Sequence, residues 1–151
     1  MANPPRSRDE RKQDTLGRLD RDVDVWVATA DPSTGIPYLT PLSFLWDGTS
    51  LLISTPAASP TGRNLRASGR VRLGLGLTRD VVLMDGAVRE TLAPADMPVG
   101  LGDKFAARTG FDPRAQPDDY LYFRIEPSRI QAWREANELT GRDLMRDGAW
   151  L

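Results

Sequence analysis

The residues best suited to chemistry lie in one short stretch, Ser59–Leu65, which follows the apolar segment Leu51–Thr55. Ser59 is a favourable N-cap and Pro60 suits the first helical position, so the stretch predicts the start of a helix. Free amides and the positive dipole end at such a start attract anions, and Arg63 can contact a phosphate through two N–H groups. The polar side chains that can converge there are Ser54, Thr55, Ser59, Thr61 and Arg63. The stretch therefore indicates a phosphate site, with a plain capped helix and a surface arginine as the alternative.

The absence of two residue types excludes several kinds of site. The sequence of 151 residues contains no cysteine and no histidine. Disulfides, thiolate nucleophiles, metal sites with Cys or His ligands and a Ser-His-Asp triad are therefore excluded. No cluster of Asp and Glu has the spacing of a cation-binding loop, so we expect no metal site. Any chemistry must come from carboxylates, Arg, Lys, Tyr, hydroxyl groups or a bound cofactor.

Length and charge limit the class of protein and its partners. A chain of 151 residues fits one domain, and its net charge of -1 with mixed signs gives no reason to expect a nucleic acid or a membrane as partner. No apolar run is long enough to span a bilayer, and the polar N-terminus lacks the apolar core of a signal peptide, so we expect a cytoplasmic location. Residues 1–13, rich in Pro, Arg and Asp, predict a disordered or loosely held arm, and residues 14–151 a single domain.

Most of the chain has the pattern of a small β-barrel. Short β-branched or alternating segments are bounded by turn signals such as Asp31–Gly35 and Asp47-Gly48. They predict strands over residues 24–30, 36–46, 50–55, 70–77, 80–90, 120–127 and 130–134. Helices are predicted over residues 14–21, 59–68 and 94–109. Many short strands with few helices favour a mainly β protein that closes into a barrel.

Three motifs, in this order, resemble the pyridoxamine 5'-phosphate oxidase-like flavin-binding split barrels. They are Thr40–Gly48, then Ser59–Leu65 with Gly69–Val71, then Arg129–Trp133. The resemblance runs from about Asp22 to the C-terminus. It implies a split β-barrel of six to seven antiparallel strands with short flanking helices. It also implies a homodimer that binds flavin mononucleotide (FMN) at the subunit interface.

The same resemblance implies roles for individual residues in cofactor binding. The matching positions are Leu42, Ser43, Phe44, Ser54, Thr55, Ser59, Thr61, Arg63, Asn64 and Trp133. The first three would run beside the isoalloxazine ring, the next two would lie at the ribityl-phosphate, and the following three would seat the phosphate. Asn64 would support that loop. Trp133 would lie against the flavin of the partner subunit, with core or dimer packing as the alternative.

The sequence also departs from the vitamin-converting members of that family. Pro60 and Thr61 stand where those members carry an Arg-Lys pair, and Leu39 and Phe44 stand where they carry basic residues. Their Arg-x-His substrate motif is missing, so pyridoxamine 5'-phosphate oxidation is rejected. The predicted function is a flavin-dependent oxidoreductase that moves hydride to or from an unknown small molecule, with a deazaflavin coenzyme as the alternative cofactor. The alternatives are a non-catalytic flavin- or tetrapyrrole-binding protein and a cofactor-free dimeric barrel; no residue stands out as catalytic.

Overall fold

A computed structural model describes residues 3–116 and 119–151 of the protein. Within them the strands are β1 (Asp24–Ala30), β2 (Pro37–Trp46), β3 (Leu51–Pro56), β4 (Arg70–Leu75), β5 (Val81–Leu92), β6 (Tyr120–Trp133), β7 (Asp143–Arg146) and β8 (Ala149–Trp150). The α-helices are α1 (Arg8–Arg21), α2 (Pro60–Ser68) and α3 (Val99–Thr109), with single 3-10 turns at Pro94–Asp96, Pro113–Ala115 and Ala136–Glu138.

Six of the strands close into an antiparallel barrel. Their order is β3-β2-β1-β4-β5-β6, and β3 pairs with β6 to complete the ring, while β7 and β8 extend the sheet beyond β6. The barrel core is apolar and fully buried at positions such as Val27, Phe44 and Ile125. A smaller core lies beneath α3, around Phe105 and Tyr122. The prediction of a mainly β barrel protein is confirmed.

The first helix differs from the prediction of a loosely held arm. α1 begins at Arg8, because Ser7 and Glu10 form a reciprocal capping box. The guanidinium of Arg11 is buried and donates to the carbonyls of Ala132 (3.1 Å) and Glu138 (2.9 Å), which docks α1 on the end of β6. Residues 8–13 therefore belong to a packed helix; residues 1 and 2 lie outside the described part of the chain.

Three further segments differ from the sequence prediction. The helix predicted over residues 94–109 is a 3-10 turn followed by α3, since Pro98 stands extended (φ −54°, ψ 134°) just before α3 begins. The two strands predicted over residues 120–134 are one strand, because Pro127 pairs with Gly86 beside a β-bulge at Ser128. The C-terminal hairpin β7–β8 was not predicted; Asp147 and Gly148 form its turn with positive φ values of 52° and 79°.

Candidate functional site

A cavity of about 340 Å³ opens where β2 and β3 face the segment around α3, and we call it the β2–β3 cavity. The sequence-predicted residues on its wall are Leu42, Ser43, Ser54 and Thr55. They come together because β2 pairs with β3 from Phe44–Ile53 to Trp46–Leu51, which brings Leu42 and Ser43 alongside the end of β3. The side chains of Phe105, Phe111 and Tyr120 form the opposite wall.

Three aromatic residues make the far wall of this cavity apolar. The rings of Phe111 and Tyr120 lie 5.2 Å apart at an interplanar angle of 53°, and Phe105 packs edge-on against Tyr122 at 5.4 Å. Sequence reasoning placed Phe105 inside the protein but assigned none of these residues to the site. Phe105 and Phe111 are placed by α3 and the residues that follow it, and Tyr120 by the pairing of β6 with Pro56 of β3, and no local pattern encodes either arrangement.

The hydroxyl groups of the β2–β3 cavity already have partners within the protein. Ser43 Oγ donates to Asp24 Oδ1 (2.8 Å), and Ser54 Oγ donates to the carbonyl of Leu121 (2.9 Å). Thr55 Oγ1 lies 3.0 Å from Ser59 Oγ. These bonds hold the ends of β2 and β3 in place. The cavity can thus accept a flat, largely apolar group between the hydroxyl-bearing strands and the aromatic wall.

The start of α2 is capped as the sequence predicted. Ser59 Oγ accepts from the Gly62 amide (3.0 Å), and the Ser59 carbonyl accepts from the Arg63 amide (2.9 Å). The cap side chain therefore occupies the Gly62 amide, which an anion could otherwise contact, whereas the Arg63 amide makes the first backbone bond of the helix itself. Thr61 is 1% exposed, and its Oγ1 has no hydrogen-bond partner among the described residues. A buried hydroxyl without a partner is uncommon, and this one lies at the helix start without lining the β2–β3 cavity.

Arg63 and Asn64 lie on a neighbouring cavity of about 380 Å³, which also contacts Asp31 and Tyr38. Arg63 Nη1 donates to the carbonyl of Ala58 (2.6 Å), so the guanidinium folds back over the loop before α2. Hydrogen bonds from Ser33, with a smaller contribution from the Arg63 charge, lower the pKa of Asp31. An ionised Asp31 beside Arg63 reduces the positive potential available to an anion there.

Four predicted site residues line neither cavity, namely Phe44, Ser59, Thr61 and Trp133. Asn64 does line the cavity at Arg63, where its Nδ2 donates to Thr29 Oγ1 (3.1 Å) and so ties α2 to β1, as a supporting residue would. The side chain of Phe44 is fully buried in the barrel core, leaving only its backbone near the β2–β3 cavity. Trp133, at the end of β6, lies under the guanidinium of Arg142 (5.4 Å), and Ser59 sits between the two cavities as the cap.

A six-stranded closed barrel with one helix inserted after the third strand defines a split-barrel protein. The sequence matches the pyridoxamine 5'-phosphate oxidase family over residues 19–134, and the chain belongs to that family. The match spans β1 to β6 and therefore includes the β2–β3 cavity and the start of α2. No curated protein sequence matches the chain.

Solved structures with the same fold include an F420 reductase, an FAD-binding protein and a general stress protein 26-related protein. An F420 reductase is 21% identical, with a TM-score of 0.62 over 76% of this chain and 93% of its own. An FAD-binding protein from Mesorhizobium loti is 18% identical, with a TM-score of 0.54 over 79% and 89%. A general stress protein 26-related protein from Clostridium acetobutylicum is 14% identical, with a TM-score of 0.61 over 86% and 92%. At these identities the likeness concerns the fold.

The residues present fit the two ends of a flavin unequally. The β2–β3 cavity has a size and an aromatic wall typical of small-molecule sites, which range from about 300 to 1,000 Å³. The phosphate end offers one guanidinium, that of Arg63, and the unpartnered hydroxyl of Thr61.

Across residues 3–116 and 119–151 no helix is long and apolar enough to cross a membrane, and no group of acidic side chains is arranged to hold a metal ion.

Proposed function

We propose that the protein is an oxidoreductase that uses FMN or a deazaflavin coenzyme to reduce or oxidise a small molecule. The family match over residues 19–134 carries this proposal, because all the residues that line the β2–β3 cavity fall within that span. The match does not identify the substrate. The names of two structural neighbours, an F420 reductase and an FAD-binding protein, agree with it. A bound flavin or deazaflavin would supply the hydride chemistry, while the protein supplies binding and orientation.

The residues of this chain would divide the work of holding the cofactor. Leu42 and the aromatic wall would pack against its ring system and exclude water from one face. Ser54 and Thr55 mark the end of β3, where the chain turns toward α2. Arg63 is the cation that we assign to the phosphate, because Arg63 is the predicted site residue whose side chain carries a positive charge. Thr61 and Ser59 would support the same group.

We further propose a homodimer with the cofactor at the subunit interface. The outer face of β1 and β2 supports this idea, since Trp26 is 50% exposed and Leu39 is 61% exposed on adjacent, paired strands. Two large apolar side chains side by side on a sheet are typical of a surface that another subunit covers. Trp133 would then belong to the site of the partner subunit. The cytoplasmic location and the lack of a nucleic-acid partner stay predictions.

The test is a titration of the purified full-length protein with FMN, FAD and a deazaflavin coenzyme, followed by absorption and fluorescence. We expect saturable binding and at least a tenfold weakening in Arg63→Ala. Arg66→Ala is the matched control, because Arg66 lies on the same helix and also donates to a loop carbonyl, that of Ala57 (2.5 Å). Equal losses in the two variants would show that the loop, and not the phosphate contact, is affected.

A cofactor-free barrel is the second candidate, and the state of the α2 start favours it. Ser59 Oγ satisfies the Gly62 amide, Arg63 is engaged with Ala58, and Asp31 lies on the same cavity as Arg63. If none of the three coenzymes binds at high micromolar concentration, the oxidoreductase proposal fails and this candidate remains. If a coenzyme binds but is not reduced or oxidised in the presence of electron donors and acceptors, the protein is a carrier.

A further inference from the structure

Another cavity lies on the outside of the barrel, next to the face that carries Leu39, because its lining residue Ala28 pairs with Leu39. It measures about 670 Å³ and covers the outer face of β1, β4, β5 and β6 beside the β7–β8 turn. It shares no lining residue with the β2–β3 cavity or with the cavity at Arg63. Four arginines line it, namely Arg70, Arg72, Arg129 and Arg146. We call it the arginine cavity.

Its floor is made of small residues. Ala28 and Ala30 come from β1, and Gly86 and Ala87 come from β5. Because these side chains are small, they extend little from the sheet, whereas the neighbouring strands β4 and β6 carry long arginine side chains. The result is a concave surface with a flat base and cationic walls.

The far wall of the arginine cavity is held in place by a bulge and a turn. Ser128 is the extra residue where β6 slips against β5, and its Oγ donates to the carbonyl of Asp85 (3.2 Å). The Ser128 carbonyl accepts from the Gly148 amide (2.8 Å), which pins the β7–β8 turn to the bulge. Asp147, in that turn, has the positive φ of 52° and lines the rim. Bulges of this kind recur beside binding sites because they redirect side chains.

The carboxylates around this cavity do not neutralise its arginines. Arg72 pairs with Asp85 (3.4 Å). Arg129 (3.2 Å) and Arg146 (2.9 Å) share the single carboxylate of Asp143, whose pKa their hydrogen bonds and that of Gln131 lower to about 2. Two guanidinium groups on one carboxylate leave one positive charge over.

Arg70 adds a further positive charge. Within residues 3–116 and 119–151, no carboxylate lies within 4 Å of its guanidinium. Asp147 is the remaining acidic group on the cavity wall, at its rim and exposed. The four arginines and the carboxylates of Asp85, Asp143 and Asp147 together leave one net positive charge at the arginine cavity.

We propose that the arginine cavity binds a phosphorylated small molecule of nucleotide size, with two phosphate groups held between Arg70 on one side and the Arg129–Arg146 pair on the other. Guanidinium groups recognise phosphate oxygens through paired N–H donors. The volume lies within the range of small-molecule sites, and the low floor leaves room for the organic part of the ligand. The site is separate from the proposed flavin site and does not depend on it.

The test is calorimetric titration of the full-length protein with ADP and with inorganic pyrophosphate, with and without FMN. We expect saturable binding of both phosphates and at least a tenfold loss in Arg70→Gln and in Arg129→Gln. Arg89→Gln is the control, because Arg89 is exposed, pairs with Glu126 (3.3 Å) and does not line the cavity. Arg63→Ala is expected to leave phosphate binding unchanged, which separates this proposal from the flavin proposal.

Several results would overturn it. Absence of binding at millimolar pyrophosphate, or an equal loss in Arg89→Gln, would mean that the arginines act only as a general surface charge. Binding of citrate as tight as that of pyrophosphate would contradict a phosphate-specific site. A change in oligomeric state in Arg70→Gln, without any phosphate binding to the unmodified protein, would assign the cavity to a subunit interface. Circular dichroism of each variant checks that it is folded.

Discussion

At the scale of single residues, Glu138 holds the N-terminal segment to the barrel. It is 2% exposed, and its carboxylate accepts from Arg6 Nε (3.0 Å), Arg6 Nη2 (2.8 Å) and the amides of Arg6 and Arg134 (3.0 Å each). The Arg6 side-chain hydrogen bonds lower the pKa of Glu138 from about 4.5 to about 2 despite its burial. A buried carboxylate with four donors is well satisfied, so removing its charge leaves Arg6 without its main partner.

This carboxylate predicts how stability depends on pH. A pKa that is lower in the folded state than in the unfolded state gives stability above about pH 4.5, and that stability is lost as the pH falls toward 2. The difference corresponds to at most about 3 kcal/mol. We expect Glu138→Gln to lower the free energy of unfolding by roughly 3 kcal/mol at pH 7 and to flatten its decline below pH 5. Urea unfolding followed over pH 2 to 7 measures both.

The control for this prediction is Glu126→Gln, the same substitution at the exposed pair with Arg89. It is expected to change the free energy of unfolding by less than about 1 kcal/mol. The pKa of Asp143 is also lowered to about 2, so the free energy of unfolding still falls in part at low pH in every variant. A Glu138→Gln protein as acid-sensitive as the unmodified one would contradict the assignment.

At the scale of elements, the start of α2 depends on one glycine. A Cβ on Gly62 would lie 2.3 Å from the carbonyl oxygen of Pro56 and 2.9 Å from that of Ala57. Both are backbone atoms, so neither can move aside as a flexible side chain would. The first turn of the helix therefore rests directly on the loop that follows β3.

We expect Gly62→Ala to lower the free energy of unfolding by about 1–3 kcal/mol, because the helix must move away from the loop. Flavin affinity would fall with it if the α2 start seats the phosphate. Gly100→Ala is the matched control, since Gly100 is also helical and a Cβ there meets nothing within 4 Å. That variant is expected to gain up to about 1 kcal/mol. Chemical unfolding of the two variants distinguishes them, and an equally stable Gly62→Ala would contradict the close contact.

At the scale of the whole molecule, the outer face of β1 and β2 predicts association. Trp26 and Leu39 point outward from paired strands and expose 50% and 61% of their surface. We expect light scattering to show a dimer and Leu39→Glu to convert it to a monomer, because a charge there would be desolvated at the interface. The control is Val99→Glu, an exposed apolar residue (72%) on α3, away from this face. A monomeric unmodified protein would contradict the dimer.

Local patterns in the sequence were sufficient to predict the barrel and the cap of α2. Alternating and β-branched segments, the Asp47-Gly48 turn and the Ser59-Pro60 helix start depend on neighbours in the chain, and the structure has each of them. The absence of His and Cys also excluded several kinds of site from the sequence alone, because that conclusion depends only on composition. The motifs also indicated the family, and that is confirmed.

Only the tertiary structure decided which of those residues meet. Packing of α1 against Ala132 and Glu138 depends on contacts more than 120 residues apart. The Ser7–Glu10 capping box is a local signal for the start of this helix, but only those distant contacts hold the helix on the barrel. Ser54 and Arg63 line two different cavities, and the side chain of Phe44 is buried in the barrel core. The arginine cavity is assembled from five strands and a bulge. Its net charge depends on the fact that Arg129 and Arg146 share one aspartate. Which side chains become neighbours in this way depends on the folded structure, and no single stretch of the sequence contains that information.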